Sequence, residues 1–255
     1  MSWSVGAGLE GKGVIVTGAA GGIGREVAKA FATTGARLML LDVRAEECES
    51  LAGQLDGSGH VWRSADLSRI ATHPHLIADA ERELGGLYAL VHLAAVLRRR
   101  PQVTEVTEDD WDVQVDTNLK GAFFLCRAAA ESMVAQGNGG RIIAFTSQGW
   151  WTGGYGGSVV YNATKGGIVT MTRGLARTYG PHGVTVNAIA PGQVRTPMLL
   201  TDLPSEVLET MVQATPLGRI AEPEEIAGTA VFLASKHAQY ITGATMNLTG
   251  GFLMY

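Results

Sequence analysis

Cysteine is nearly missing from this chain of 255 residues. Cys48 and Cys126 stand far apart, so the sequence spells out neither a disulfide framework nor a metal knuckle, and such usage suits a reducing compartment. Proline is scarce as well, with 8 residues, and no Pro- or Ser-rich linker or break in composition divides the chain. Long hydrophobic runs are absent: the longest, around 87–97, contains His92 and is about half of the ~20 residues a membrane-spanning helix needs. The start, MSWSVGAGLEGKG, has no basic segment leading into an apolar one and does not read as a secretory signal. Nor does charge of one sign dominate, since 20 Lys and Arg against 24 Asp and Glu leave a net −4, with no positive field to hold nucleic acid or anionic lipid. Together these absences predict a soluble, cytoplasmic protein without nucleic-acid or membrane partners. With 46% hydrophobic and 17% charged residues, one globular domain with a full core is expected.

Glycine is what the chain has in excess, 34 residues without a short period, which assigns it to turns and close approaches. Short apolar runs at 13–17, 37–42, 89–93, 141–145, 184–189 and 245–248, with a weaker seventh at 60–64, alternate with helical stripes at 24–33, 45–55, 75–84, 108–135, 160–179 and 222–234. That alternation predicts an α/β fold with a parallel sheet covered by helices on both faces. The first stripe should close at Gly35 with a left-handed cap. Residues 194–216 are less regular and fit either a flap over a pocket or a short helix in a surface loop.

The first run leads into Thr17, Gly18, Ala19, Ala20, Gly21, Gly22, Ile23 and Gly24, and a helix follows. Glycines there let backbone N–H groups and a positive helix end approach a pyrophosphate. Asp42 ends the next run, where a carboxylate accepts ribose hydroxyls and repels the 2′-phosphate of NADP, so NAD is expected and NADP disfavoured. Arg44 pulls the other way, and Asp42 also fits a helix N-cap. Further along, Tyr161 and Lys165 are four residues apart, one helical turn, and lie on one helix face.

These features, with Ser147 upstream, Asn118 in the stretch Thr117 to Gly121, and Pro191–Gly192 after a strand, resemble the short-chain dehydrogenase/reductase family from about residue 9 to 251. The resemblance implies a doubly wound Rossmann fold, a seven-stranded parallel sheet of order 3-2-1-4-5-6-7, with a cofactor half at about 9–145 and a catalytic and substrate half at about 146–255. It implies hydride transfer between nicotinamide and a secondary alcohol or its ketone, with Tyr161 as general acid/base, Lys165 on the nicotinamide ribose, Ser147 on the substrate oxygen and Asn118 holding a relay water. A phenol titrates near ~10, and an ammonium ~4 Å away at an effective dielectric of ~20 favours phenolate by ~4 kcal/mol. Lys165 is therefore expected to bring Tyr161 into the working range, and an oxidised nicotinamide pushes the same way. The 14-residue gap to Tyr161 favours Ser147 over Ser158.

The resemblance also places Asp66 on the adenine amino group, with Leu67 and Ala94 at the cofactor, and Pro191, Gly192, Val194 and Thr196 along the nicotinamide. Asn187 falls in the same stretch. It departs at His92, Leu93, Ala94 and Ala95, where relatives carry Asn, Asn, Ala, Gly; the hydrogen bonds those asparagines make beneath the cofactor are then in doubt. His92 reads as a core residue. Arg98, Arg99 and Arg100 fit either a clamp for a carboxylate or phosphate or a solvated loop or subunit contact. Trp150, Trp151 and Tyr155 fit a substrate wall or simple packing.

A serine hydrolase is not indicated, because Phe145 stands where a nucleophile elbow needs glycine. His73 and His75 lack a third ligand, so no metal is expected. A polyol or sugar alcohol is the favoured substrate, with a 3-oxoacyl thioester reductase and a non-catalytic NAD-binding sensor as rivals. A homotetramer, then a homodimer, is the expected assembly.

Overall fold

The computed structural model describes residues 6–154, 156–201 and 205–255. Seven parallel strands lie in the order β3-β2-β1-β4-β5-β6-β7: β1 (Gly13–Thr17), β2 (Arg37–Asp42), β3 (Val61–Ser64), β4 (Ala89–His92), β5 (Gly140–Phe145), β6 (Val184–Pro191) and β7 (Thr245–Leu248). Strand β1 is buried along its whole length, and its alternate side chains serve two cores. Val14 and Val16 pack with Val27 and Phe31 of α1 (Gly22–Thr33), Cys48 of α2 (Ala45–Ala52) and Ile226 of α10 (Pro223–Ala234). Ile15 packs on the opposite face with Ile77 of α3 (His73–Leu84), Leu125 of α5 (Ala122–Gln136) and Leu175 of α7 (Val159–Tyr179). Burial on both faces is why the strands read as continuous apolar runs rather than alternating ones. Helix α1 ends as expected, with Gly35 at φ 80° just beyond it.

One expectation needs correction. The stripe over 108–135 is not one helix: α4 (Glu108–Val115) gives way to a π-helical turn at Asp116–Gly121 before α5 begins. A Cβ on Gly121 would stand 2.4 Å from the carbonyl oxygen of Leu67, so glycine lets the distorted turn press against the loop after β3. The apolar period runs through the defect and hides it. Residues 194–216, expected as a flap over a pocket or a short helix in a surface loop, hold two short helices, α8 (Pro197–Leu200) and α9 (Ser205–Gln213), and form one side of a cavity. A one-turn helix, α6 (Gly149–Thr152), was not legible in the sequence.

Order reverses between β1 and β4, the place where an open α/β sheet leaves a crevice beyond its strand ends. The two strands are in register there, with Thr17 beside His92.

Both thiols are buried, and burial raises Cys48 to about 11 and Cys126 to about 12, away from thiolate chemistry. Among the described residues no three His, Cys, Asp or Glu side chains group as a metal site, and no helix is long and apolar enough to cross a membrane.

Candidate active site

The turn from β1 into α1 is shaped by what cannot fit in it. Gly18 holds φ 64°, and a Cβ there would stand 2.8 Å from the amide nitrogen of Ala94. A Cβ on Gly24 would stand 2.1 Å from the Gly18 carbonyl oxygen, and one on Gly22 would reach 2.8 Å from Cγ2 of Thr196. Gly21 caps α1 without any side-chain hydrogen bond, so the first amides of the helix face outward as donors. Beside this cradle lies a cavity of about 760 Å³. Its wall brings together Gly18, Gly21, Gly22, Ile23 and Gly24 with Ser147, Tyr161, Lys165, Pro191, Gly192, Val194 and Thr196.

Helix α7 presents Tyr161 and Lys165 on one face, as their spacing requires. Lys165 Nζ donates to the carbonyl of Phe145 at 2.8 Å and stands 5.4 Å from the centre of the Tyr161 ring. Burial lowers this ammonium to about 8 and raises the phenol to about 12, with the positive charge of Arg99 opposing the rise. In this arrangement burial outweighs the surrounding cations at Tyr161, and Lys165 alone does not bring the phenol down. The Ser147 hydroxyl oxygen accepts the amide of Gly149 at 3.2 Å and sits in the cavity wall. Ser158 precedes α7, and its hydroxyl oxygen accepts from Asn162 at 2.8 Å.

Several expected site residues are not part of this wall. Asn118, in the π-turn, donates to the carbonyl of Val96 and accepts its amide, both at 2.8 Å, fastening the segment after β4 to the helix. Asp42 accepts the amides of Ala20 and Arg44, each at 3.1 Å, and pairs with the Arg44 guanidinium. Asp66 is turned onto Ser68, whose hydroxyl and amide hold its carboxyl below the usual range. The Leu67 carbonyl accepts from His73 at 3.0 Å, and the Ala94 amide donates to Thr17. Asn187 ties β6 to the carbonyl of Ile241 at 2.8 Å. Trp150 lies off the wall, its ring edge-on to Trp151 and Tyr255, while Trp151 stacks on Tyr255 at 5.6 Å. Tyr155 lies outside the described residues.

Conversely, the wall contains residues that motifs alone did not mark. Gln148 and Gln193 both line it, and each has one buried amide atom, Oε1 and Nε2 respectively, without a hydrogen-bond partner. Met198, Leu199 and Met211 close it from the flap. Of the three arginines, only Arg99 is part of it.

Comparison with known proteins follows this geometry. A family model described as Enoyl-(Acyl carrier protein) reductase matches residues 18–253. D-threitol dehydrogenase of Mycolicibacterium smegmatis is 38% identical over 246 residues, 96% of this chain and 94% of that one. A (3R)-3-hydroxyacyl-CoA dehydrogenase of Canis lupus familiaris is 35% identical over 249 residues, covering 94% and 95%. The crystal structure of a short-chain dehydrogenase/reductase from Brucella melitensis, titled glucose/ribitol dehydrogenase, superposes with a TM-score of 0.89 at 33% identity, covering 97% and 98%. The chain belongs to the short-chain dehydrogenase/reductase family.

As a member of that family it is an oxidoreductase acting on CH–OH groups or the corresponding ketones, and it binds NAD(P). The residues present suit such a dinucleotide: the cradle has no room for a Cβ at Gly18, Gly22 or Gly24, and its uncapped helix end offers amides to a diphosphate.

Proposed function

We propose that the protein is an NAD-dependent dehydrogenase of a secondary alcohol, with a polyol as the favoured substrate class. The observation that carries this reading is a single cavity walled at once by the glycine cradle and by Ser147, Tyr161 and Lys165. Gly18, Gly21, Gly22, Ile23 and Gly24 would hold the diphosphate, with Asp42 beneath the adenosine ribose and Asp66, Leu67 and Ala94 around the adenine half. Pro191, Gly192, Val194 and Thr196 would line the nicotinamide. A nicotinamide held there would supply the hydride exchange with the carbinol carbon and, in its oxidised form, a positive charge beside the phenol. Tyr161 takes the hydroxyl proton of the alcohol and returns it in the reverse direction. Ser147 donates to the same oxygen and steadies the charge that develops there. Lys165 adds a buried positive charge on the same helix face and offers its remaining N–H groups to the nicotinamide ribose. Asn118 holds the segment after β4 in place and, by family resemblance, serves the proton relay.

NAD rather than NADP is supported by charge balance at the ribose end. Arg44 pairs with Asp42 and Glu47, and Arg25 pairs with Glu47, so two cations meet two carboxylates and no net positive field awaits a 2′-phosphate. A polyol is supported by the similarity to D-threitol dehydrogenase. The similarity to a hydroxyacyl-CoA dehydrogenase favours a second reading, a 3-hydroxyacyl thioester substrate. Family members commonly pair through helices equivalent to α5 and α7, which supports a homotetramer or homodimer, and a cytoplasmic location fits the buried, unpaired thiols. Absorbance at the reduced-nicotinamide band, screened over alditols, simple secondary alcohols and 3-hydroxyacyl thioesters with each cofactor, tests the reading. Turnover of thioesters alone, or with NADP alone, overturns it.

A further inference from the structure

We propose that Arg99 anchors a carboxylate on the substrate, which narrows the polyol class favoured above to polyhydroxy acids; this rests on the alcohol dehydrogenase reading above. Three consecutive arginines leave β4, and the fold gives them different work. Arg100 makes a two-pronged pair with Asp110 at 2.6 and 2.8 Å, and Arg98 pairs with Asp109 and Asp110. These two are spent on the start of α4, where Asp110 also closes the capping box with Thr107.

Arg99 points the other way, into the cavity wall that includes Tyr161 and Ser147. Both of its terminal nitrogens reach only the carbonyl of Met198, at 3.4 Å each, leaving three of five N–H donors for other partners. Among the described residues no carboxylate forms an ion pair with it. The carboxylates of the wall, Glu26, Glu47 and Glu224, sit instead on α1, α2 and α10, the helices around the cradle. The guanidinium is close enough for its charge to act on the Tyr161 phenol. One unbalanced cation with a planar fork matches one carboxylate; a phosphate dianion would call on the neighbouring arginines, which Asp109 and Asp110 already hold. The substrate class is therefore an aldonate-like hydroxy acid, with its carboxylate on Arg99 and the reacting hydroxyl at Tyr161.

The test uses a matched acid and polyol, threonate and threitol, titrated into the NADH-bound protein with nicotinamide fluorescence as the readout. Threonate should bind at least about tenfold more tightly, and Arg99→Gln should abolish that preference while NADH affinity stays unchanged. Arg99→Lys should restore part of it. In oxidation assays over aldonates and alditols of equal chain length, Arg99→Gln should lower kcat/KM for the acids by about 10- to 100-fold more than for the alditols, chiefly through KM, since both classes share the loss of the Arg99 charge near Tyr161. Equal affinity for threonate and threitol in the unaltered protein overturns the proposal. So does an equal loss for acids and alditols in the variant, which makes Arg99 a latch on Met198. A preference for phosphorylated polyols overturns the carboxylate. If NADH itself gives no response, the NAD reading fails instead and takes this inference with it.

Discussion

The hydroxyl of Thr17 meets Nδ1 of His92 at 3.0 Å, while its oxygen accepts the backbone amides of Leu93 and Ala94, each at 3.1 Å. Two amides occupy both lone pairs of that oxygen, so its proton is donated to Nδ1 and the imidazole carries its own on Nε2. With no asparagine at His92 or Leu93, the amides beneath the cradle are held by a threonine one strand away. Removing the acceptor in Thr17→Val should cost about 2–3 kcal/mol in urea unfolding, because two inward-facing amides lose their partner. A loss under about 0.5 kcal/mol would mean that the amides find another acceptor.

Burial lowers His92 to about 3, so the folded imidazole stays neutral where an unfolded one, titrating at ~6.5, takes up a proton. The unfolded state then binds more protons, and stability falls as pH drops from about 6.5 towards 3. Between pH 6 and 4 this should add about 1.4 kcal/mol per pH unit to the slope, and His92→Gln should remove that increment. Parallel stability curves for the two proteins would contradict a buried neutral imidazole.

If, as proposed, the phenol moves a proton and the cradle holds the cofactor, turnover of Tyr161→Phe should fall by about 10²–10⁴-fold with NADH affinity little changed. Near-normal turnover measured by absorbance would remove Tyr161 from the chemistry.

Lys165→Met is expected to abolish turnover and raise the Tm. Its pKa is lowered to about 8 from 10.5, so at pH 7 the folded state carries a buried ammonium at a cost that the unfolded state does not bear. Calorimetry at pH 7 should give a gain of about 2–4 °C. A drop would show that the hydrogen bond to Phe145 outweighs desolvation.

Asp42→Ala should shift the kcat/KM ratio towards NADP by about tenfold or more, because it removes the carboxylate and with it one of the two acidic partners of Arg44. An unchanged ratio would assign the cofactor choice to another residue.

Residue order alone determined the strands, the glycine-rich turn and the shared face of Tyr161 and Lys165, because each is written within a few consecutive residues: a short apolar run, a cluster of glycines between a strand and a helix, one helical step. Tertiary structure decided the rest. The π-turn under Asn118 escapes notice because the apolar stripe continues across it, and only the approach of Gly121 to Leu67 exposes the defect. Trp150 and Trp151 find Tyr255, about a hundred positions later, and three adjacent arginines with identical chemistry part company because Asp109 and Asp110 of α4 reach two of them. Sequence specifies which groups are available, but which partner each one meets depends on chain segments brought together only by the folded sheet and its helices.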